Sequence, residues 1–197
     1  MSIPHKLAKM SPQSYLDWEK TLDIKHEYID GEVYAMVGAR DAHVTVAGNI
    51  FALLHSHLRG GPCRIYMADM KVRVESVNAF FYPDVVVTCD ERDRKNDYFK
   101  IHPHVVIEVL SDSTAAYDRG QKFARYRASP ALREYVIIDP DRISVEVFRL
   151  DNTGHWVLYP FSAGQKVEFA SVDFRVAIEA LYENVTVPPE IPPLSDP

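Results

Sequence analysis

Tyr82-Pro83-Asp84-Val85-Val86-Val87 and His104-Val105-Val106-Ile107-Glu108-Val109-Leu110 are the two stretches that decide the fold. Each is an apolar, β-branched run with one carboxylate set into it. Such runs read as strands covered on both faces, which places them in the sheet of an α/β protein. A carboxylate left unpaired there costs several kcal/mol. Two readings account for it: each acid sits at a strand end and accepts ordinary hydrogen bonds or an arginine, or the two acids share a divalent cation. Tyr82, Asp84 and Val86 share one face of the first strand, and Val106, Glu108 and Leu110 share one face of the second. If the strands pair, Asp84 and Glu108 meet near the sheet's end, where Ser111-Asp112-Ser113 turns out of the core. For either acid alone the ordinary reading is the better one. For both together, beside a lysine, we take the cation, and hard oxygen donors with open water positions suit Mg²⁺ or Mn²⁺.

That lysine lies on the next element. In Asp118-Arg119-Gly120-Gln121-Lys122-Phe123-Ala124-Arg125-Tyr126 the residues Asp118, Lys122 and Tyr126 recur at four-residue spacing and share one helix face. The helix is capped by Ser113 or Asp118 and stops at Ser129-Pro130. Lys122 either pairs with Asp118 as a solvated surface residue or brings an ammonium to the site, where it orients water and offsets phosphate charge. Tyr126 reads as a packing residue with its hydroxyl bonded to a neighbour.

Working outward, Ser11 caps a short helix with Pro12 at its first position. Asp30-Gly31 is the two-residue turn of a hairpin over residues 25–36. Asp41 caps a helix from Ala42 to about Leu58, ended by Gly60-Gly61-Pro62. Strands are expected at residues 64–74, 80–89, 105–110 and 135–140, with a terminal pair at 144–150 and 156–161. Residues 174–181 suggest a last short helix, and the chain from Val187 reads as a Pro-rich tail. The element order predicts an α/β fold with a central mixed sheet flanked by helices, an N-terminal hairpin and C-terminal strands. One domain is expected over residues 1–197, with the core at about 10–150. No Gly-rich loop follows a strand, which excludes Rossmann and P-loop architectures.

The chain has 197 residues, 47% hydrophobic and 25% charged, enough for one sizeable core. A formal net charge of −6 argues against a protein that coats nucleic acid by charge alone, yet leaves room for a nuclease with a local basic cleft and a metal. Two cysteines, Cys63 and Cys89, are too few for a disulfide framework and are expected in strands as small apolar residues. No apolar run is long enough to span a membrane, and Met1 to Met10 lacks a signal-peptide core, so a cytoplasmic protein is expected.

Taken together, Asp30-Gly31-Glu32, His43 opening a helix, Tyr82-Pro83-Asp84, Glu108-Val109-Leu110-Ser111 and Asp118-Arg119…Lys122…Tyr126 resemble the Uma2 family of "putative restriction endonuclease" domains. The resemblance covers roughly Met10 to Leu150. It implies the restriction-endonuclease-like core of the PD-(D/E)xK superfamily and an endonuclease that hydrolyses DNA phosphodiester bonds, leaving a 5′-phosphate and a 3′-hydroxyl. It implies Asp84 and Glu108 as metal ligands, the Val109 carbonyl as a third, and Mg²⁺ or Mn²⁺ as cofactor. The position two after Glu108 is Leu110 rather than the superfamily's lysine, so Lys122 stands in from the neighbouring helix. Glu32 matches a position that adds a carboxylate to the site; a hairpin-edge charge is the equal alternative. His43, at a helix N-terminus where the macrodipole disfavours its cation, either contacts phosphate or water or only packs. Asp69 and Lys71 are expected at solvent or the cleft mouth, and Asn49 is a further hydrogen-bonding candidate. Cutting a duplex takes two sites, which favours a homodimer, with Phe80-Phe81-Tyr82 and Val145 to Phe148 as candidate contacts or core. The alternative reading is a catalytically inactive nuclease fold kept for binding or assembly.

Overall fold

In the computed structural model, which describes residues 9–188, Ser11 caps α1 (Pro12–Glu19) by accepting the Ser14 N–H, with Pro12 at the first helical position. The hairpin β1 (His26–Ile29) and β2 (Glu32–Ala35) follows. Asp30 and Gly31 both take positive φ, 48° and 92°, the turn whose twist matches the two strands. Then come α2 (Asp41–His57), β3 (Arg64–Met67), β4 (Lys71–Val74), β5 (Ala79–Phe81), β6 (Val85–Thr88), β7 (Phe99–Lys100) and β8 (Pro103–Val109). A helical stretch is built from α3 (Ala115–Tyr117), a π turn over Asp118–Lys122, and α4 (Phe123–Tyr126). The chain closes with β9 (Glu134–Asp139), β10 (Ser144–Leu150), β11 (Trp156–Ser162), β12 (Lys166–Phe169) and β13 (Phe174–Ala177), then a 3-10 turn over Ile178–Tyr182. Residues 189–197, most of the tail expected from Val187, and the first eight residues of the chain lie outside the described residues.

Six strands in the order β11-β10-β9-β8-β6-β3 form the central sheet, and a second sheet runs β2-β1-β5-β4-β7. β8 and β9 are parallel, and the α3–α4 stretch is their crossover; the other neighbours in the central sheet are antiparallel. Alternation sorts the central strands. Val85, Val87, Val105, Ile107, Val136 and Ile138 pack toward α2 and the β12–β13 hairpin. Val86, Val106, Leu110, Tyr135 and Ile137 pack against α4 and the second sheet. Both faces are covered, which is why these strands read as unbroken β-branched runs.

Several expectations are corrected. The run 64–74 is two strands in different sheets, broken where Ala68 adopts φ 50° and its N–H bonds the Asp84 carbonyl. The run 80–89 is likewise split, because Pro83 has no N–H to continue a ladder. Arg40, without a side-chain cap bond, precedes α2, and Asp41 is its first residue. Phe174–Ala177 is a strand, not a helix, paired with β12. Cys63 and Cys89 lie just outside β3 and β6 and form a disulfide. Phe80, Phe81, Val145 and Val147 are buried core, so they offer no contact to a second copy. Among the described residues no helix is long and apolar enough to cross a membrane.

Candidate active site

Asp84 and Glu108 occupy facing positions on paired strands, as the register requires. Val85 pairs with Ile107, so the next step outward sets Asp84 opposite Glu108 at the end of the central sheet. The chain bends at Asp84, leaving its side chain partly exposed at the sheet's end. Its Oδ2 accepts the Val109 N–H at 2.7 Å and lies 3.3 Å from His43 Nε2. His43 sits in the first turn of α2. Burial pushes its imidazole down, but the Asp84 carboxylate and the Val109 backbone outweigh burial, so its pKa is raised overall. Its neighbours override the helix dipole, and His43 belongs to the site through Asp84.

Glu108 points to the other side, into the layer under the α3–α4 stretch, and is 4% exposed. Lys122 Nζ lies 3.0 Å from Glu108 Oε1, 3.1 Å from Glu27 Oε1 and 3.6 Å from Asp118 Oδ1. Asp118, Lys122 and Tyr126 are all buried on one face, as their spacing predicts. Lys122 is therefore not a solvated surface residue. Burial opposes its charge, but Glu108 and Glu27 hold its pKa well above the ordinary lysine value. Burial raises the Glu108 pKa well above its usual range, with Asp118, Asp84 and Glu27 adding to the rise and Lys122 opposing it. Both shifts have one origin: three acids and a single ammonium share a dry space.

Glu27, on β1, carries no signal that separates it from other hairpin charges in the sequence, and it is the acid that joins the cluster. Glu32 does not. Its exposed carboxylate takes the Tyr34 hydroxyl at 2.8 Å, because β2 is the outer strand of its sheet. Tyr126 departs from expectation too: its hydroxyl is buried with no hydrogen-bond partner among the described residues. Asn49 donates to the Leu181 and Glu183 carbonyls and so ties down the C-terminal turn rather than the site. Asp69 is exposed and paired with Lys25, while the Lys71 ammonium stands over the Tyr82 ring.

A cleft of 260 Å³ adjoins the Val109 end, lined in part by Leu110, Ser111, Arg119, Asp139 and Arg142. A larger hollow of 390 Å³ lies at the opposite end of the sheet, beside Cys89, and touches none of the cluster. No group of three or more His, Cys, Asp or Glu side chains suited to a metal occurs among the described residues. The donor types at this end of the sheet, two carboxylates and a backbone carbonyl, still suit a hard cation. Asp84 uses only Oδ2 in its contacts given above, and buried Glu108 Oε1 has ion-pair distance to Lys122 but no hydrogen bond. Mg²⁺ takes one or two carboxylates and keeps several waters.

The family described as "Putative restriction endonuclease", Uma2, matches residues 12–179. Uncharacterized protein slr1290 of Synechocystis sp. (strain ATCC 27184 / PCC 6803 / Kazusa) is 37% identical over 177 residues, covering 90% of this chain and 93% of its own. Uncharacterized protein sll1609 of the same strain is 32% identical over 151 residues, 76% of this chain and 85% of its own. The crystal structure of a "putative nuclease belonging to DUF820" from Anabaena variabilis ATCC 29413 has the same fold, with a TM-score of 0.70 at 17% identity over 88% of this chain and 98% of that one. The order of motifs in the sequence, the mixed central sheet and the family match agree: this chain is a member of the Uma2 family.

Proposed function

We propose that the chain is a metal-dependent endonuclease acting on DNA, with Asp84, Glu108 and the Val109 carbonyl as the holders of Mg²⁺ or Mn²⁺. One observation carries the reading: two acids stand opposite each other at the open end of adjoining strands, with a buried lysine 3.0 Å from one of them. When bound there, the cation would polarise the scissile phosphate and make a coordinated water more acidic. The protein's own groups then have separate tasks. The Val109 N–H and His43 fix the Asp84 carboxylate. Lys122 orients the attacking water and offsets the charge that builds on the phosphoryl oxygens. Water attacks phosphorus, the bond to the 3′-oxygen breaks, and that oxygen takes a proton, leaving a 5′-phosphate and a 3′-hydroxyl. Cleavage of both strands requires two such sites, so the working unit is a homodimer, and the compartment is the cytoplasm.

Plasmid nicking in Mg²⁺ tests this directly. Asp84→Ala and Glu108→Ala each abolish nicking; full activity in either one rules the assignment out. The second reading, an inactive nuclease fold kept for binding or assembly, draws on the ion pair that already engages Glu108. Titration calorimetry with Mn²⁺ separates the two, since an inert module takes up no metal.

A further inference from the structure

We propose that Glu27 is a positioning residue of this site: it shares the Lys122 ammonium with Glu108 and so keeps the Glu108 carboxylate open to a divalent cation. The inference rests on the metal reading given above. Lys122 Nζ stands almost equally far from Glu108 and Glu27, 3.0 Å and 3.1 Å. Both oxygens are buried and neither is aligned for a hydrogen bond, so neither acid holds the ammonium alone. A buried lysine with one carboxylate partner closes a neutral pair, and a metal that drew that carboxylate away would strand the ammonium in a dry site. A second carboxylate removes that penalty, because Lys122 keeps a partner when Glu108 turns to the cation. Glu27 is suited to this: it is carried by the hairpin, on a different element and a different sheet from Glu108, so it stays in place. Asp118, at 3.6 Å on the lysine's own helical stretch, is the more distant reserve.

The test is Mn²⁺ titration calorimetry on the full chain, with five proteins compared: wild type, Glu27→Gln, Glu27→Asp, Lys122→Met and the Glu27→Gln/Lys122→Met double variant. Glu27→Gln lowers Mn²⁺ affinity about tenfold, within the range of couplings between contacting residues. Glu27→Asp, which restores the charge, recovers most of that loss. In the Lys122→Met background Glu27→Gln changes affinity by less than about threefold, because no ammonium is left to share. A merely structural ion pair moves the thermal midpoint and leaves these affinities alone. Equal affinity in wild type and Glu27→Gln overturns the proposal, and so does a full tenfold loss that persists without Lys122. Should Glu27→Gln not fold, Glu27→Ser takes its place in both backgrounds, read by the same tenfold and threefold criteria. A wild type that binds no Mn²⁺ overturns the metal reading itself, a different failure from unchanged affinity in Glu27→Gln.

Discussion

Tyr126 is wholly buried, and its hydroxyl has no partner among the described residues. Burial, followed by the nearby Glu108 charge, raises its pKa well above the ordinary tyrosine value, so the group is a neutral phenol. An orphaned buried hydroxyl costs about 1–3 kcal/mol. Tyr126→Phe, which keeps the ring packed at a tilt against Phe81 and Tyr135, therefore leaves stability unchanged or raises it by up to about 1 kcal/mol. Urea unfolding measures this; a loss of more than about 1 kcal/mol shows the hydroxyl bonded after all. At this scale the sequence is partly legible. Asp84 and Glu108 stand out because a charge inside a β-branched run needs a reason. Glu27 and Glu32 do not separate: the register Glu27↔Tyr34 and Ile29↔Glu32 puts both acids on one face of the hairpin. Only the order of strands, with β1 inside and β2 at the edge, sends Glu27 to the site and Glu32 to solvent.

Among the elements, the turn that joins β12 to β13, residues 170–172, is held by polar contacts from three others. Glu134 on β9 accepts the Ala170 and Ser171 N–H groups and the Ser171 hydroxyl, His104 on β8 bonds the Ser171 carbonyl, and His57 on α2 bonds the Val172 carbonyl. Burial holds the His104 pKa below its usual 6.5, with the Ser171 carbonyl pulling the other way. The unfolded chain therefore binds a proton near pH 6.5 where the folded protein does not. The contribution of His104 is full above pH 6.5 and is lost as pH falls from there through its folded value. His104→Gln removes that dependence: the gap in thermal midpoint between wild type and variant is wider at about pH 7.5 than at about pH 5.5. A gap that is constant, or that widens toward acid, refutes the assignment. This hairpin escaped the sequence, since Phe174, Ile178 and Leu181 fit a helical stripe while Phe174, Val176 and Ile178 fit an alternating strand. The split of residues 64–74 escaped too. Ala68 turns the chain at positive φ without the glycine that ordinarily marks such a turn.

Across the whole molecule the central sheet has two unlike ends. Asp84 precedes β6 at one end and Cys89 follows it at the other, five residues on, which is roughly 17 Å along an extended strand. The disulfide to Cys63 ties β3 to β6 at this far end. Neither the expected cytoplasmic setting nor the scarcity of cysteines pointed to that bond, because it depends on two chain positions becoming direct neighbours across an antiparallel pair. The sequence separation of 26 residues gives a loop whose closure stabilises by about 3 to 4 kcal/mol on chain-entropy grounds. Cys63→Ala/Cys89→Ala lowers unfolding free energy by up to that amount, read from urea midpoints at constant slope. Mn²⁺ affinity stays within about twofold of wild type, because the site's ligands sit on the opposite end and share no partner with the bond. A reducing compartment keeps such thiols apart, so a site that works there has to be independent of the link. Loss of metal binding on reduction, with the fold intact by circular dichroism, shows instead that the two ends of the sheet are coupled.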